Sequence, residues 1–257
     1  MLSGINPYQG PTNYASVTVH HDWKTLDNES VKSAINGVDE ISLFVKSNYK
    51  ISCQLIYKSE TKEMAIGTGG FIDDCNQVIT ARHCIDLLPI EHLFVRAYNY
   101  DNNEVSFIDI PVKGRQDGDH GLDITTLYVE QTPESLEYCQ AVNLDFSDEV
   151  LSGGHYVVIH FANGEHLVSV GEIEGDTSYD MFFQKINLQA GNGSSGALTL
   201  WKSLSGEVSA KAISIFRHLE TWESPKRHLL NLNKFFQPFD SELVNPIERP
   251  YHITQRG

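Results

Sequence analysis

Three residues from separate parts of the chain have the types and local settings that acyl-transfer chemistry needs. His83 lies in the segment Thr-Ala-Arg-His-Cys, Asp123 begins Asp-Ile-Thr-Thr-Leu, and Ser195 lies in Gly-Asn-Gly-Ser-Ser-Gly-Ala. A serine hydroxyl becomes a nucleophile when an imidazole takes its proton, and a carboxylate keeps that imidazole in the correct tautomer. The three residues are therefore a candidate base, orienting carboxylate and nucleophile.

The glycines around Ser195 suit the tight turn that presents such a nucleophile. Gly193 and Gly196 can adopt a positive φ without the steric cost that other residues would have. A turn of this kind points the amides of Gly193 and Ser195 at one position, where they would bind the oxyanion of a tetrahedral intermediate. We therefore predict an oxyanion hole formed by Gly193 and Ser195.

These segments resemble those of the trypsin-like (chymotrypsin-fold) serine peptidases, nearest to the bacterial HtrA-type and glutamyl-endopeptidase branches. Gly67-Thr-Gly-Gly-Phe-Ile, followed by Val78-Ile-Thr-Ala-Arg-His, is similar to the strand pair that leads to the catalytic histidine in that family. The resemblance implies a serine endopeptidase with His83, Asp123 and Ser195 as its triad, acting through an acyl-enzyme on a protein or peptide substrate. It implies a selective processing or effector enzyme that uses no cofactor.

One departure from the family pattern affects activation. The residue before the candidate nucleophile is Ser194, where self-activating secreted relatives have an acidic residue that pairs with a newly cut N-terminus. The chain is therefore expected to need no such cleavage. A second class of function stays open, because a fold does not fix an activity: a catalytically weak or inactive binding module on a peptidase scaffold.

The resemblance also implies where a substrate side chain would bind. The residues expected to line this pocket come just before the nucleophile and from the strand after it: Gln189, Ala190, Ser214, Ile215 and Phe216. None is an aspartate, which does not support a preference for Lys or Arg. The ring of Phe216 would narrow the pocket and favour small residues. Gln189 either hydrogen-bonds a polar substrate group or faces solvent.

Short β-branched segments separated by polar turns predict an all-β fold. The resemblance implies two six-stranded antiparallel β-barrels, and the sequence adds a short N-terminal helix at 29–39 and a C-terminal helix at 226–237. Ile41–Lys46 is predicted to be the first strand. The expected organisation is an N-terminal extension (1–40), a first barrel carrying His83 and Asp123 (41–130), an inter-barrel linker (131–149), a second barrel carrying Ser195 (150–220), and a C-terminal helix and tail (221–257).

The charge and hydropathy of the chain limit its partners. The formal net charge is −15, which disfavours nucleic acid because phosphate binding depends on Lys and Arg. No apolar run is long enough to span a membrane, and the N-terminal residues do not read as a signal peptide. We expect a cytoplasmic protein, or one exported without a classical signal peptide, and leave its oligomeric state open.

Cysteines and histidines outside the candidate triad are possible sites of disulfides and metals. Secreted trypsins bridge the cysteine that follows the catalytic histidine, so Cys84 could pair with Cys75 across a hairpin; the favoured alternative is that all four cysteines are free thiols. The groups His20-His21-Asp22 and His160 with Glu165-His166 lack the spacing of metal ligands, and we expect them at strand ends and turns. Activity is expected to rise with pH through about 6.5–7, near the pKa of a free imidazole.

Overall fold

The computed structural model describes residues 15–18, 41–101, 104–118, 123–145, 155–162, 164–176, 183–186, 193–202, 208–219 and 225–231. It gives the backbone alone for 15–18, 41–43, 101, 155–156, 169–176, 183–186, 201–202, 211–219 and 225–231. The described part of the chain is mostly β-strand with few, short helices. The prediction of a mainly β protein is confirmed.

The described ranges contain fourteen strands, numbered here in chain order. They are β1 (Ala15–Thr18), β2 (Ser52–Lys58), β3 (Glu63–Ile72), β4 (Gln77–Thr80), β5 (Leu93–Asp101), β6 (Glu104–Asp117), β7 (Thr125–Val129), β8 (Asn143–Leu144), β9 (His155–Ala162), β10 (Glu165–Asp176), β11 (Phe183–Ile186), β12 (Leu198–Lys202), β13 (Val208–Leu219) and β14 (Pro225–Asn231). Strands β2 to β7 form a closed barrel in the order β2-β3-β4-β7-β6-β5. Every neighbouring pair in it is antiparallel, so the predicted first barrel is confirmed.

Apolar side chains from all six strands fill the barrel interior. One buried example from each strand, in chain order, is Leu55, Phe71, Val78, Val95, Ile110 and Leu127. Burial of one such side chain contributes about 1.5–3 kcal/mol relative to exposure. This core holds the strand ends in fixed relative positions, and the candidate site lies at those ends.

Charged side chains join four of the strands on the outside of the barrel. Arg96 of β5 lies directly opposite Asp109 of β6 and binds both of its carboxylate oxygens, at 2.7 and 2.8 Å. Lys58 of β2 also binds Asp109, at 2.7 Å, and Glu63 of β3 binds Arg96, at 2.8 Å. Only 13% of the Arg96 side chain and 15% of the Asp109 side chain are exposed, so solvent screens this cluster weakly.

The segment before the barrel is a helix, not the predicted strand. Helix α1 spans Ile41–Asn48. Val45, Asn48 and Tyr49 are buried whereas Lys46 and Ser47 are exposed. Burial therefore repeats every three to four residues, which is the helical period, and the prediction of a strand at Ile41–Lys46 is wrong. The predicted helix at 29–39 lies outside the described residues.

The remaining strands form a second, eight-stranded sheet. Strand β9 pairs with β10 and β12, and β13 pairs with β12 and β14. Strand β11 lies between β10 and β14, while β1 pairs with β10 and the short β8 runs parallel to β13. This sheet contains the turn that carries Ser195.

Strand β14 occupies much of the region where the sequence predicts a C-terminal helix. It pairs with β11 on one side and with β13 on the other. A short apolar run such as Leu229-Leu230 fits a buried strand or a buried helix equally well, and the predicted helix is wrong for residues 226–231. The rest of that prediction, 232–237, lies outside the described residues.

The chain between the barrel and the second sheet contains a short capped helix. Helix α2 spans Pro133–Leu136, and its N-cap is Thr132. The Thr132 hydroxyl accepts a hydrogen bond from the Ser135 amide at 3.1 Å, and the Ser135 hydroxyl accepts one from the Thr132 amide at 2.8 Å.

Among the described residues, no helix has the length and hydropathy to cross a membrane.

Candidate active site

Strands β4 and β7 bring His83 and Asp123 to the same rim of the barrel. The two strands are antiparallel, with Thr80 opposite Thr125. His83 follows the end of β4 in the 3-10 turn Arg82–Cys84, and Asp123 lies just before the start of β7. The register of the barrel therefore places the two residues side by side.

Asp123 binds His83 through both carboxylate oxygens. Its Oδ2 lies 2.6 Å from Nδ1 of the imidazole, and its Oδ1 accepts a hydrogen bond of 2.8 Å from the His83 amide. A carboxylate at Nδ1 keeps the proton on that nitrogen, which leaves Nε2 as the atom that can accept a proton from a nucleophile. His83 and Asp123, which the sequence analysis paired, are therefore in direct contact.

The same contact changes the charge state of the imidazole. Burial alone lowers the pKa of His83, but the hydrogen bond to Asp123 and the neighbouring Cys84 thiol outweigh it and raise the pKa to about 10. The His83 side chain is 33% exposed, so solvent reaches the ring. In this arrangement the imidazolium is the favoured form at neutral pH.

Ser195 lies in a tight turn that packs against the same rim. Gly193 and Gly196 have φ values of +98° and +89°, in the left-handed region that favours glycine. The predicted positive φ at both glycines is confirmed. A Cβ atom at Gly196 would collide with the Thr68 carbonyl oxygen and the Thr80 hydroxyl, so the turn requires glycine there for space as well as for conformation.

Thr68 of β3 connects this turn to the barrel. Its amide donates a hydrogen bond of 2.8 Å to the carbonyl oxygen of Ser195, and its hydroxyl donates one of 2.6 Å to the carbonyl oxygen of Gly193. The Phe161 amide of β9 in turn donates to the Thr68 hydroxyl at 2.9 Å. Sequence reasoning assigned no role to Thr68, although this residue lies within the Gly-Thr-Gly-Gly segment that carries the resemblance.

A buried histidine lies behind the turn. Nδ1 of His160 is 3.0 Å from the hydroxyl oxygen of Ser194, and both side chains are buried. The sequence signal for such a residue was a histidine inside the otherwise apolar strand Val-Val-Ile-His-Phe-Ala. His160 and His166 lie near the facing ends of β9 and β10, as predicted, and their environment is the interior of the protein.

His166 is buried among aromatic rings. Its imidazole stacks on Phe161 with ring centroids 4.1 Å apart, and its Nδ1 is 2.7 Å from the Tyr100 hydroxyl oxygen. Burial, together with the nearby His160, lowers the pKa of His166 to about 3. His166 is therefore neutral across the physiological range and packs as an aromatic ring.

The thiol of Cys84 lies between the His83 ring and the turn that carries Ser195. Its Sγ is 3.7 Å from Nε2 of His83 and 3.8 Å from the carbonyl oxygen of Ser195. A Cβ atom built at Gly67 would lie only 2.8 Å from this sulfur.

Within the described part of the chain, no hydrogen bond joins His83 Nε2 to the Ser195 hydroxyl. Such bonds are often long in unliganded sites and tighten in the substrate complex.

The four cysteines are unbonded to one another. Cys53 and Cys75 are buried, whereas Cys84 and Cys139 are partly exposed. No Cys75–Cys84 bridge is formed. Among the residues that the structure describes, no three His, Cys, Asp or Glu side chains are grouped so that they could hold a metal ion.

The structure describes only part of the predicted substrate pocket. Gln189 and Ala190 lie outside the described residues. Ser214, Ile215 and Phe216 belong to β13, where the pairing with β14 shifts register between Ser214 and Phe216. Ile215 therefore stands at a β-bulge, where one extra residue of a strand is left unpaired.

Comparison with known proteins gives no separate assignment of function. No protein-family profile matches the chain, and no curated protein matches it at a significant level. The arrangement of His83, Asp123 and the Ser195 turn at one rim of the barrel is therefore the basis for a functional proposal.

Proposed function

We propose that the chain is a serine endopeptidase with Ser195 as nucleophile, His83 as general base and acid, and Asp123 as the carboxylate that orients His83. The observation that carries the proposal is the double contact between Asp123 and His83, at 2.6 and 2.8 Å, on the rim against which the glycine-flanked Ser195 turn packs. The resemblance of the three sequence segments to trypsin-like peptidases supports the same assignment. The substrate is a protein or peptide.

The proposed reaction uses each group in a defined step. Nε2 of His83 takes the proton of the Ser195 hydroxyl while Oγ forms a bond to the scissile carbonyl carbon. The amides of Gly193 and Ser195 stabilise the negative charge on the carbonyl oxygen. The imidazolium then protonates the leaving amine as the C–N bond breaks, and water hydrolyses the acyl-enzyme by the same route.

The pairing of the second sheet supports the two-barrel architecture that the resemblance implies. Its contacts can be followed around a ring from β9 through β10, β11, β14, β13 and β12 back to β9. We infer that these strands form the second six-stranded barrel. The Ser195 turn directly precedes β12, so the nucleophile would come from one barrel and the base and carboxylate from the other.

The substrate pocket follows from the same inference. It would lie between the Ser195 turn and β13 and would be lined by Gln189, Ala190, Ser214, Ile215 and Phe216. A ring at position 216 favours small substrate side chains. Cleavage of a randomised peptide library, read by mass spectrometry, tests this preference; cleavage mainly after Lys or Arg would contradict the proposed pocket.

Labelling with a fluorophosphonate probe tests the nucleophile. The probe is expected to modify Ser195 in the intact protein, with the adduct located by peptide mass spectrometry. Ser195→Ala should abolish labelling and peptide hydrolysis with an unchanged circular dichroism spectrum, a loss on the order of 10⁴–10⁶ in kcat. Ser106→Ala, at an exposed serine of β6, is the matched control and should change neither. Retention of more than a few per cent of activity in Ser195→Ala would exclude Ser195 as nucleophile.

Two observations favour the second class of function, a catalytically weak or inactive binding module. The Cys84 sulfur, and not the Ser195 hydroxyl, lies 3.7 Å from His83 Nε2. The raised pKa of His83 also favours the imidazolium, which cannot act as a base. Folded protein that stays unlabelled by the probe between pH 7 and pH 10, yet binds peptides from the same library, would establish this alternative.

A further inference from the structure

We propose that Thr68 is a positioning residue that holds the Ser195 turn in the conformation needed for an oxyanion hole. The inference rests on the proposed peptidase function and extends it to a residue of the first barrel. Thr68 is fully buried. It would act through the backbone of the turn, without touching substrate.

The hydrogen bonds of Thr68 meet the turn on both sides of Ser194. The hydroxyl donates to the Gly193 carbonyl oxygen at 2.6 Å, and the amide donates to the Ser195 carbonyl oxygen at 2.8 Å. Each carbonyl belongs to a rigid planar peptide unit. Thr68 therefore fixes the orientation of the peptide units that follow Gly193 and Ser195.

The peptide unit between these two carries the Ser195 amide. Its carbonyl group, that of Ser194, accepts a hydrogen bond of 3.3 Å from the Ala197 amide. With the units before and after it held by Thr68, the direction of the Ser195 N–H is restricted in advance. Donors that are aligned before the reaction stabilise an oxyanion without a further reorganisation cost.

The Thr68 hydroxyl is also fixed by the second sheet. It accepts a hydrogen bond of 2.9 Å from the Phe161 amide. Its own proton goes to the Gly193 carbonyl oxygen at 2.6 Å, since the other acceptor, the Phe161 carbonyl oxygen, is 3.4 Å away. The neighbouring His160 binds the Ser194 hydroxyl at 3.0 Å. The turn thus has internal supports on both sides, and none of them is the acidic residue on which cleavage-activated relatives depend.

Three substitutions test the role of the hydroxyl. Thr68→Val keeps the shape and removes the hydroxyl, and we expect it to lower kcat by about 10- to 100-fold with KM within about threefold, as for a small misplacement of a catalytic group. Thr68→Ser restores the hydroxyl and should recover kcat to within about fivefold of wild type. Thr199→Val is the matched control, because the Thr199 hydroxyl is buried without a hydrogen-bond partner among the described residues, and it should leave kcat unchanged.

Hydrogen exchange provides a readout that does not depend on activity. In Thr68→Val the amides of residues 193–197 should exchange at least about tenfold faster than in wild type, while those of β6 and β7 do not change. If valine prevents folding, Thr68→Ala removes the same hydroxyl without adding volume. Unchanged exchange at 193–197, or a kcat for the valine variant within threefold of wild type, would overturn the proposal.

Different measurements would refute the peptidase function and the role of Thr68. Wild-type protein that the fluorophosphonate never labels would refute the peptidase function. The exchange measurement would still decide whether Thr68 holds the turn.

Discussion

Among single residues, Asp123 has the most specific effect on the chemistry proposed here. One carboxylate oxygen binds the ring of His83 and the other binds its amide. The second bond ties the ring to its own main chain through a common partner. Loss of the carboxylate should therefore change both the tautomer of His83 and the direction in which the ring points.

Asp123→Asn is expected to lower the rate by about 10⁴ while the protein stays folded, because the amide favours the wrong imidazole tautomer. Hydrolysis of a fluorogenic peptide and the thermal unfolding midpoint provide the two measurements. Asp86→Asn, at an exposed aspartate near His83, should behave as wild type. A rate for Asp123→Asn within tenfold of wild type would show that another carboxylate orients His83.

The raised pKa of His83 predicts an alkaline activity profile. Because the pKa of His83 is raised to about 10, the neutral imidazole that acts as base increases as pH rises above neutrality. The rate should therefore climb well beyond the range of about 6.5–7 expected for a free imidazole. A pH–rate profile of kcat/KM checks this, and a plateau already reached at pH 7.5 would contradict it.

The same contact makes a contribution to stability with a definite sign. A group whose pKa is raised on folding stabilises the native state fully below its unfolded pKa, about 6.5 for histidine. That contribution is lost as pH rises toward about 10. The difference in unfolding free energy between wild type and His83→Gln should therefore shrink over this range.

At the residue scale, sequence reasoning identified the groups with recognisable chemistry and missed their supports. His83, Asp123 and the two glycines stand in motifs whose residue types are dictated by reactivity or by positive φ. Thr68 binds the Gly193 carbonyl oxygen, 125 residues away, and His160 binds the Ser194 hydroxyl, 34 residues away. No local sequence pattern predicts such partners, because only the packing of the strands brings them together.

At the scale of secondary-structure elements, the charged cluster on four barrel strands gives a direct test of how the barrel is held. Asp109→Asn should destabilise the protein by about 2–4 kcal/mol, because it removes the poorly solvated carboxylate that binds both Arg96 and Lys58 and leaves them only the half-exposed Glu63. Urea unfolding at pH 7 measures the change. Glu130→Gln is the control, since it breaks the Lys113–Glu130 pair, in which 57% and 53% of the side chains are exposed, and should cost under about 1 kcal/mol.

The cluster also predicts acid sensitivity. Although burial opposes it, hydrogen bonding to Arg96 and Lys58 lowers the pKa of Asp109. A lowered native pKa contributes stability that is present above the unfolded pKa and lost as pH falls through the native value. Wild type should therefore lose its advantage over Asp109→Asn in strong acid; an advantage that stayed constant down to pH 2 would argue against the cluster.

The element errors have a common physical cause. Residues 41–48 contain β-branched and aromatic residues that favour strands locally, yet their buried face has helical spacing. Residues 226–237 have apolar residues near helical spacing, yet Pro225–Asn231 is paired on both edges. In both segments tertiary contacts outweigh local propensity, as is common for short apolar runs. The long barrel strands, bounded by clear turns, were predictable.

At the scale of the whole molecule, the free cysteines predict tolerance to reducing conditions. The protein should keep its activity and unfolding midpoint in millimolar dithiothreitol, because no pair of its cysteines is bonded. EDTA should be equally harmless. Titration of the denatured, unreduced protein with a thiol reagent should find all four cysteines reactive; fewer, with a loss of stability on reduction, would reveal a bridge.

The closeness of Gly67 to Cys84 has a consequence for engineering. The position of a Cβ at residue 67 is 2.8 Å from the sulfur and 3.2 Å from the Cβ of Cys84, slightly closer than the mean Cβ separation of about 3.8 Å in disulfides. Gly67→Ala would turn this closeness into a clash. Cys84→Ala in the double variant should remove the 2.8 Å contact with the sulfur and leave the looser contacts of 3.2 and 3.3 Å with the residue 84 Cβ and the Ser195 carbonyl oxygen. Gly67→Cys would replace the clash with a covalent bond.

Gly67→Cys should therefore give a disulfide with Cys84 that forms under oxidising conditions and breaks under reducing ones. Oxidation would link β3, at the residue before Thr68, to the turn that carries His83, and would convert the Cys84 thiol beside Nε2 into a disulfide sulfur. The oxidised variant should migrate faster than the reduced form in non-reducing electrophoresis and unfold at a higher temperature. In reductant it should unfold below wild type, because the clash at residue 67 returns. Two free thiols persisting at positions 67 and 84 after oxidation would show that the strand and the turn are farther apart in solution.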